Sequence, residues 1–118
     1  MDKINLVEKF ACFSDTWSPR IIAELNGQHV KIVRIEGAFV WHSHEHEDEL
    51  FLVVEGRFCM EYRDRKQWVE KGELVVVPCG VEHRPVAEEH CQILLFEPKS
   101  TVNTGETGGQ RTVDAIKL

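Results

Sequence analysis

The chain has 118 residues, of which 42% are hydrophobic and 29% charged, and a formal net charge of −6 at neutral pH. That length holds one core but not two. The acidic balance argues against a general nucleic-acid binder and against attachment to an anionic membrane surface. No apolar run approaches the ~20 residues of a bilayer-spanning helix. Met1 to Asn5 has no basic stretch leading into a hydrophobic one, so no signal peptide is expected and the cytoplasm is the expected location. Four cysteines, Cys12, Cys59, Cys79 and Cys91, are scattered without a C-x-x-C pair, which predicts free thiols, with Cys59 and Cys91 in strand-like runs as small core residues.

In chain order, residues 4–13 read as a short helix, with Asn5 and Glu8 placed as a capping box and Val7, Phe10 and Ala11 on one face. The stretch from Ser14 to Pro19 breaks it. Ile21 to Leu25 and Gln28 to Glu36 read as strands joined by Asn26-Gly27, a strong two-residue hairpin signal. The slip in alternation at Ile32-Val33 predicts a bulge or burial on both faces. Glu49 to Val54 reads as a strand with Glu49, Phe51 and Val53 inward, leaving Leu50, Leu52 and Val54 as an outer aliphatic row that suggests a subunit interface. Arg57 to Tyr62, Gln67 to Glu70 and Leu74 to Val77 follow, with Trp68 expected in the core and the last strand expected to be buried on both sides. Pro78 ends it, and Cys91 to Phe96 is the final clear strand. After Pro98 comes a long Thr/Gly/Asn-rich loop, with a short strand expected between Thr112 and Ile116. Many short strands, glycine turns and one helix indicate an all-β sandwich or barrel.

Gly37 to Gly56 carries the chemistry. His42 and His44 are two residues apart, so in extended backbone they share a face, and Glu49 follows close behind. Imidazoles with a carboxylate are divalent-metal ligands. A second segment, Gly72 to His83, contains a glycine turn, an apolar strand, a Pro-x-Gly corner and then His83.

Together these segments resemble the two motifs of the cupin superfamily, G-x5-H-x-H-x3–4-E-x6-G and G-x5-P-x-G-x2-H-x3-N. The first is matched by Gly37, His42, His44, Glu49 and Gly56, and the second by Gly72, Pro78, Gly80 and His83. Four residues rather than five separate Gly37 from His42, and Ala87 stands where the second motif closes on asparagine. The resemblance covers residues 30–97 and implies a small jelly-roll barrel of the single-domain type often grouped with mannose-6-phosphate isomerases. On that reading residues 1–118 form one cupin domain, with the core barrel at about 20–97, the helix at 4–13 and the loop and short strand at 98–118.

The resemblance implies the same ligand set as the residues: His42, His44, Glu49 and His83 around a divalent transition metal (Fe, Mn, Zn, Ni or Co), with coordination positions left for a small-molecule substrate. A metal-dependent enzyme of dioxygenase or isomerase/lyase type is expected, and a non-catalytic small-molecule-binding module is the alternative; a homodimer is expected in either case. Of the remaining residues, His46 is expected exposed or at the rim, and Glu45 and Asp48 in an acidic turn. His29 and His90 are expected to be ordinary histidines, with Arg84 and Trp41 turned from the metal. Phe39, Phe51, Met60 and Tyr62 are candidates for the pocket wall, and Cys79 lies at the Pro-x-Gly corner.

Overall fold

The structure, a computed structural model, describes residues 1–118. Helix α1 spans Leu6–Phe10, shorter than the sequence suggests. Asn5 caps it, its Oδ1 accepting from the Glu8 amide at 3.0 Å. Phe10 is its only buried residue and Val7 is exposed, so the expected apolar face does not form. A helix this short gains little from propagation and depends on its one buried anchor. No helix is long and apolar enough to cross a membrane.

The strands are β1 (Arg20–Leu25), β2 (Gln28–Ala38), β3 (Glu49–Glu55), β4 (Arg57–Tyr62), β5 (Lys66–Glu70), β6 (Leu74–Val77), β7 (His83–Pro98) and β8 (Ile116–Lys117). They form one mostly antiparallel sheet in the order β5-β4-β7-β2-β1-β8, with β3 also paired to β7 and β6 to β3. The sheet is not closed, and its architecture is the expected all-β jelly roll. Asn26 and Gly27 make the β1–β2 hairpin with φ of +50° and +76°, the left-handed pair that matches strand twist. In β2, Lys31, Ile32 and Val33 are all buried, so the slip in alternation marks burial on both faces. The register with β1 slips between Ile21 and Ala23, opposite Lys31 and Val30, and the register with β7 slips further on, between Ile35 and Gly37.

Strand β7 organises the fold. It pairs with β2 along its length, with β4 through its first residues and with β3 through its last. Sequence reading finds only its second half. The first half is masked by Glu88, Glu89 and His90, which are exposed where β7 passes the irregularity in β2. Inward positions run through His83, Pro85, Ala87, Cys91, Ile93, Leu95 and Glu97. Because both strands bend, the two ends of β7 come back to one place: His83 and Glu97 both adjoin Glu49.

Two core assignments need correction. Trp68 is 39% exposed, because the register that puts Val69 inward beside Phe58 puts Trp68 on the opposite face, where the Arg57 guanidinium stacks over it at 4.1 Å. Leu74 and Val76 are exposed as well, since β6 pairs only with β3 and has one open face. That face continues through Leu50, Leu52, Leu94 and Phe96, which are cross-strand neighbours and half-buried. The terminal strand lies at Ile116–Lys117, past the 112–116 expected, and pairs parallel with β1.

Candidate metal centre

His42 and His44 do not lie in a strand. They sit in an irregular segment pinned by its neighbours. The His42 and His83 backbones exchange two hydrogen bonds of 3.1 and 2.9 Å. The His44 carbonyl accepts from the Gly80 amide at 2.7 Å, and the Ser43 carbonyl accepts from the Glu106 amide at 3.0 Å. Asp48 Oδ1 accepts from the Cys79 amide at 2.8 Å, which ties the acidic turn to the Pro-x-Gly corner.

From that frame His42, His44, Glu49 and His83 each direct one donor atom to a common centre, all within 4.8 Å of one another and all buried. Glu49 Oε1 is 3.3 Å from His44 Nε2 and 3.4 Å from His83 Nε2. His42 and His83 each use Nδ1–H to donate to a carbonyl, Val40 and Val81 respectively, both at 2.9 Å. Those bonds fix the tautomer and leave Nε2 of each ring with its lone pair toward the centre, the usual outer support of a metal-ligating imidazole.

The cluster is unsatisfied as the protein stands. Both His44 ring nitrogens, His83 Nε2 and Glu49 Oε1 are buried without a hydrogen-bond partner. Each orphaned buried polar atom costs about 1–3 kcal/mol, and native folds rarely gather several in one spot. A buried cluster of three imidazoles and a carboxylate suits a divalent metal ion, which would meet all of these atoms at once.

The electrostatics fit a cation too. Burial, then the neighbouring His83, pushes the His42 imidazole down to about 4, so it is neutral and ligand-ready at physiological pH. Burial alone would raise the Glu49 carboxyl, but the adjoining polar groups of Glu97, His44 and His83 hold it well below the usual carboxylate range. Glu97 goes the other way. Burial and the adjacent Glu49 carboxylate raise it well above that range, despite Lys31.

A cavity, open at its mouth, reaches the cluster at His42 and Glu49. Its walls are mainly apolar and include Phe39 and Phe51, as expected. Met60 is fully buried in the core and Tyr62 lies outside the lining, so neither is a wall residue. The His46 side chain is 79% exposed beside Glu45, away from the centre. Arg84 binds Glu61 at 2.6 Å and, with Arg63, flanks the Trp41 ring, clear of the cluster. His29 lies 3.6 Å from Glu24, and His90 contacts Arg34. Cys79 is exposed.

Sequence reading misses four residues near the site: Trp17, Lys31, Glu97 and Asn103. Glu97 had a signal, since it continues the inward parity of Cys91, Ile93 and Leu95. Lys31 had none, being a lysine in an apolar strand whose ammonium meets Glu97, its diagonal neighbour on β7, at 2.8 Å. Trp17 and Asn103 belong to loops that no periodicity places. The loop after β7 folds back over the centre, burying Thr101 and Thr104. There Gly105, at φ +55°, packs so tightly on the Ser43 carbonyl that a Cβ would collide with it.

An antiparallel jelly roll with three imidazoles and one carboxylate converging on a buried centre defines a class of small metal-suited β-barrel proteins. Residues 29–97 match the Cupin domain family, and the chain belongs to that family. It is similar to the crystal structure of a cupin-2 domain containing protein from Shewanella frigidimarina NCIMB 400, with 47% identity and a TM-score of 0.80, covering 80% of this chain and 93% of that one. It is 35% identical over 78 residues to the uncharacterized protein YdbB of Bacillus subtilis (strain 168), covering 65% of this chain and 63% of YdbB. It is also 32% identical over 78 residues to an acireductone dioxygenase of Phaeosphaeria nodorum (strain SN15), covering 56% of this chain and 45% of that protein. The chain thus spans less than two-thirds of the length of these two curated relatives.

Proposed function

We propose that this protein is a metal-dependent cupin enzyme, its metal held by His42, His44, Glu49 and His83, acting on a small molecule that enters the adjoining cavity. The observation that carries this reading is the set of orphaned donor atoms converging on one buried centre. Four protein ligands leave open positions on a six-coordinate ion, and an ion so held supplies Lewis-acid or oxygen-activating chemistry. The partial similarity to a dioxygenase supports the second kind of chemistry. We read residues 1–118 as a single cupin domain that works as a homodimer through the apolar face of Leu50, Leu52, Leu74, Val76, Leu94 and Phe96, and sedimentation of the purified protein tests that.

Elemental mass spectrometry of untagged protein, never exposed to nickel resin, tests the metal site. About one transition-metal ion per chain is expected, with occupancy abolished in His44→Ala and Glu49→Gln and retained in His46→Ala. Full occupancy in a His42→Ala/His83→Ala variant would sink the ligand set. Oxygen uptake with candidate substrates then separates a dioxygenase from an isomerase or lyase. Protein that carries metal yet turns over none of them supports the alternative, a non-catalytic small-molecule-binding module.

A further inference from the structure

One polar group in the cavity wall has no place in the four-residue cluster. Glu97 is 2% exposed and lines the cavity beside Glu49 and His42. Lys31 Nζ holds its Oε1 at 2.8 Å, and no N–H or O–H group fixed by the protein reaches Oε2. The other polar side chain in the lining, Asn103, is already engaged. Its amide donates to the Arg111 carbonyl at 2.7 Å and its Oδ1 accepts from the Val113 amide at 3.1 Å. Hydrophobic side chains, among them Trp17, Phe51 and Ile93, make up most of the remaining wall. A molecule in the cavity therefore meets the cluster, apolar surface and one free carboxyl oxygen.

We propose that Glu97, anchored by Lys31, is the recognition point for the ligand of this cavity, and that the ligand is a neutral small molecule with an apolar body and a hydroxyl group that hydrogen-bonds Oε2. The inference deepens the reading of the cavity as a substrate site and rests on it. Buried ion pairs contribute little net stability compared with apolar residues of the same shape, so Lys31–Glu97 is poorly explained as a fold device. As a holder it makes sense, because it keeps a carboxyl buried and aimed with one oxygen free.

Neutrality follows from the charges. No lysine or arginine lines the cavity, and the charge of Lys31 is engaged by Glu97. The guanidinium of Arg111 lies over the Trp17 ring, 5.6 Å from its centroid, and is not part of the wall. Beyond the metal position, an anionic group such as a sugar phosphate would face the Glu97 carboxyl with no lysine or arginine in the cavity wall to offset its desolvation.

The indole N–H of Trp17 donates to the Glu36 carbonyl at 2.9 Å while its ring lines the cavity, which makes its ¹H–¹⁵N signal a reporter of binding. Zinc-loaded and metal-free protein would each be titrated with 2-hydroxycyclohexanone, cyclohexanone and cyclohexanecarboxylate. The hydroxyketone is expected to bind roughly tenfold or more tightly than the ketone, and in the metal-free protein the carboxylate more weakly than either. In a Lys31→Met/Glu97→Leu variant the hydroxyl preference should vanish while zinc content stays unchanged. In unsubstituted protein labelled with ¹³Cδ glutamate, the Glu97 carboxyl resonance should move with the hydroxyketone and not with the ketone, a readout that does not depend on the variant folding. Absence of the hydroxyl preference, its survival in the double variant, tighter binding of the carboxylate by the metal-free protein, or no binding by any probe would each overturn the proposal. Failure to take up zinc would instead count against the metal reading, and the hydroxyl preference of the metal-free protein would still decide the role of Glu97.

Discussion

Two groups of buried charge and polarity lie side by side in this barrel, and they are built on opposite terms. Lys31 and Glu97 come from paired strands and are joined by a hydrogen bond of 2.8 Å. His42, His44, Glu49 and His83 are as deeply buried, yet their donor atoms converge and those of His44, Glu49 and His83 have no partner. The first group is nearly complete from the chain's own atoms. The second is complete only with something added. Burial alone therefore does not mark a functional site; unmet bonding capacity does, and the one unmet oxygen of the first group is also the one that faces the cavity.

The largest expected effect comes from breaking the completed pair. Glu97→Leu alone strands the Lys31 ammonium in the core and should lower stability by about 3–5 kcal/mol in urea denaturation, with Lys31→Met/Glu97→Leu recovering most of it. A single variant no worse than the double would mean that water already reaches Lys31.

The incomplete cluster should instead declare itself through pH. The His42 pKa falls from 6.5 to about 4 on folding, so the unfolded chain takes up a proton there before the native one does. Its contribution to stability is present above 6.5 and is lost as pH falls toward 4. In metal-free protein this amounts to about 2 kcal/mol between roughly pH 7 and 4.5. Glu97 has the reverse sign. Its folded pKa is raised, so its contribution is present below the unfolded value of 4.5 and is lost as pH rises above it. Denaturation midpoints across that window should therefore climb more steeply in Lys31→Met/Glu97→Leu and flatten in His42→Ala. An unchanged slope in His42→Ala would show that the imidazole is not held neutral.

The smallest effect tests the support of the cluster. Gly105→Ala forces the loop after β7 off the Ser43 carbonyl, next to His44. We expect a stability loss of about 1–3 kcal/mol and a zinc affinity reduced by up to about tenfold, as for loss of an outer support. Unaltered affinity would mean that the loop covers the centre without positioning it.

The quartet was legible in the sequence because its residues fall on the two motifs of the family, which glycines and a proline punctuate. The parity of β3 was legible because Glu49, Phe51 and Val53 alternate cleanly with Leu50, Leu52 and Val54. Errors fall where parity is set by a neighbour rather than by the strand itself. Trp68 and Val69 are both good core residues, and only the pairing of β5 with β4 decides between them. Leu74 and Val76 look buried until β6 proves to lie at an edge. Lys31 and Glu97 are far apart in the chain, and each looks like a surface charge until the pairing of β2 with β7 makes them diagonal neighbours.

Strand β7 imposes an order on folding as well as on structure. It contacts β2, β3 and β4, and its register pairs Gln28 with Pro98. The central pairings of the sheet thus wait for almost the last residues of the barrel to arrive, and until then β2 and β3 present apolar edges with no partner. Such long-range closure makes for slow folding. During synthesis the nascent chain would leave the ribosome with its sheet unassembled until β7 emerges, and would spend that interval open to misassociation.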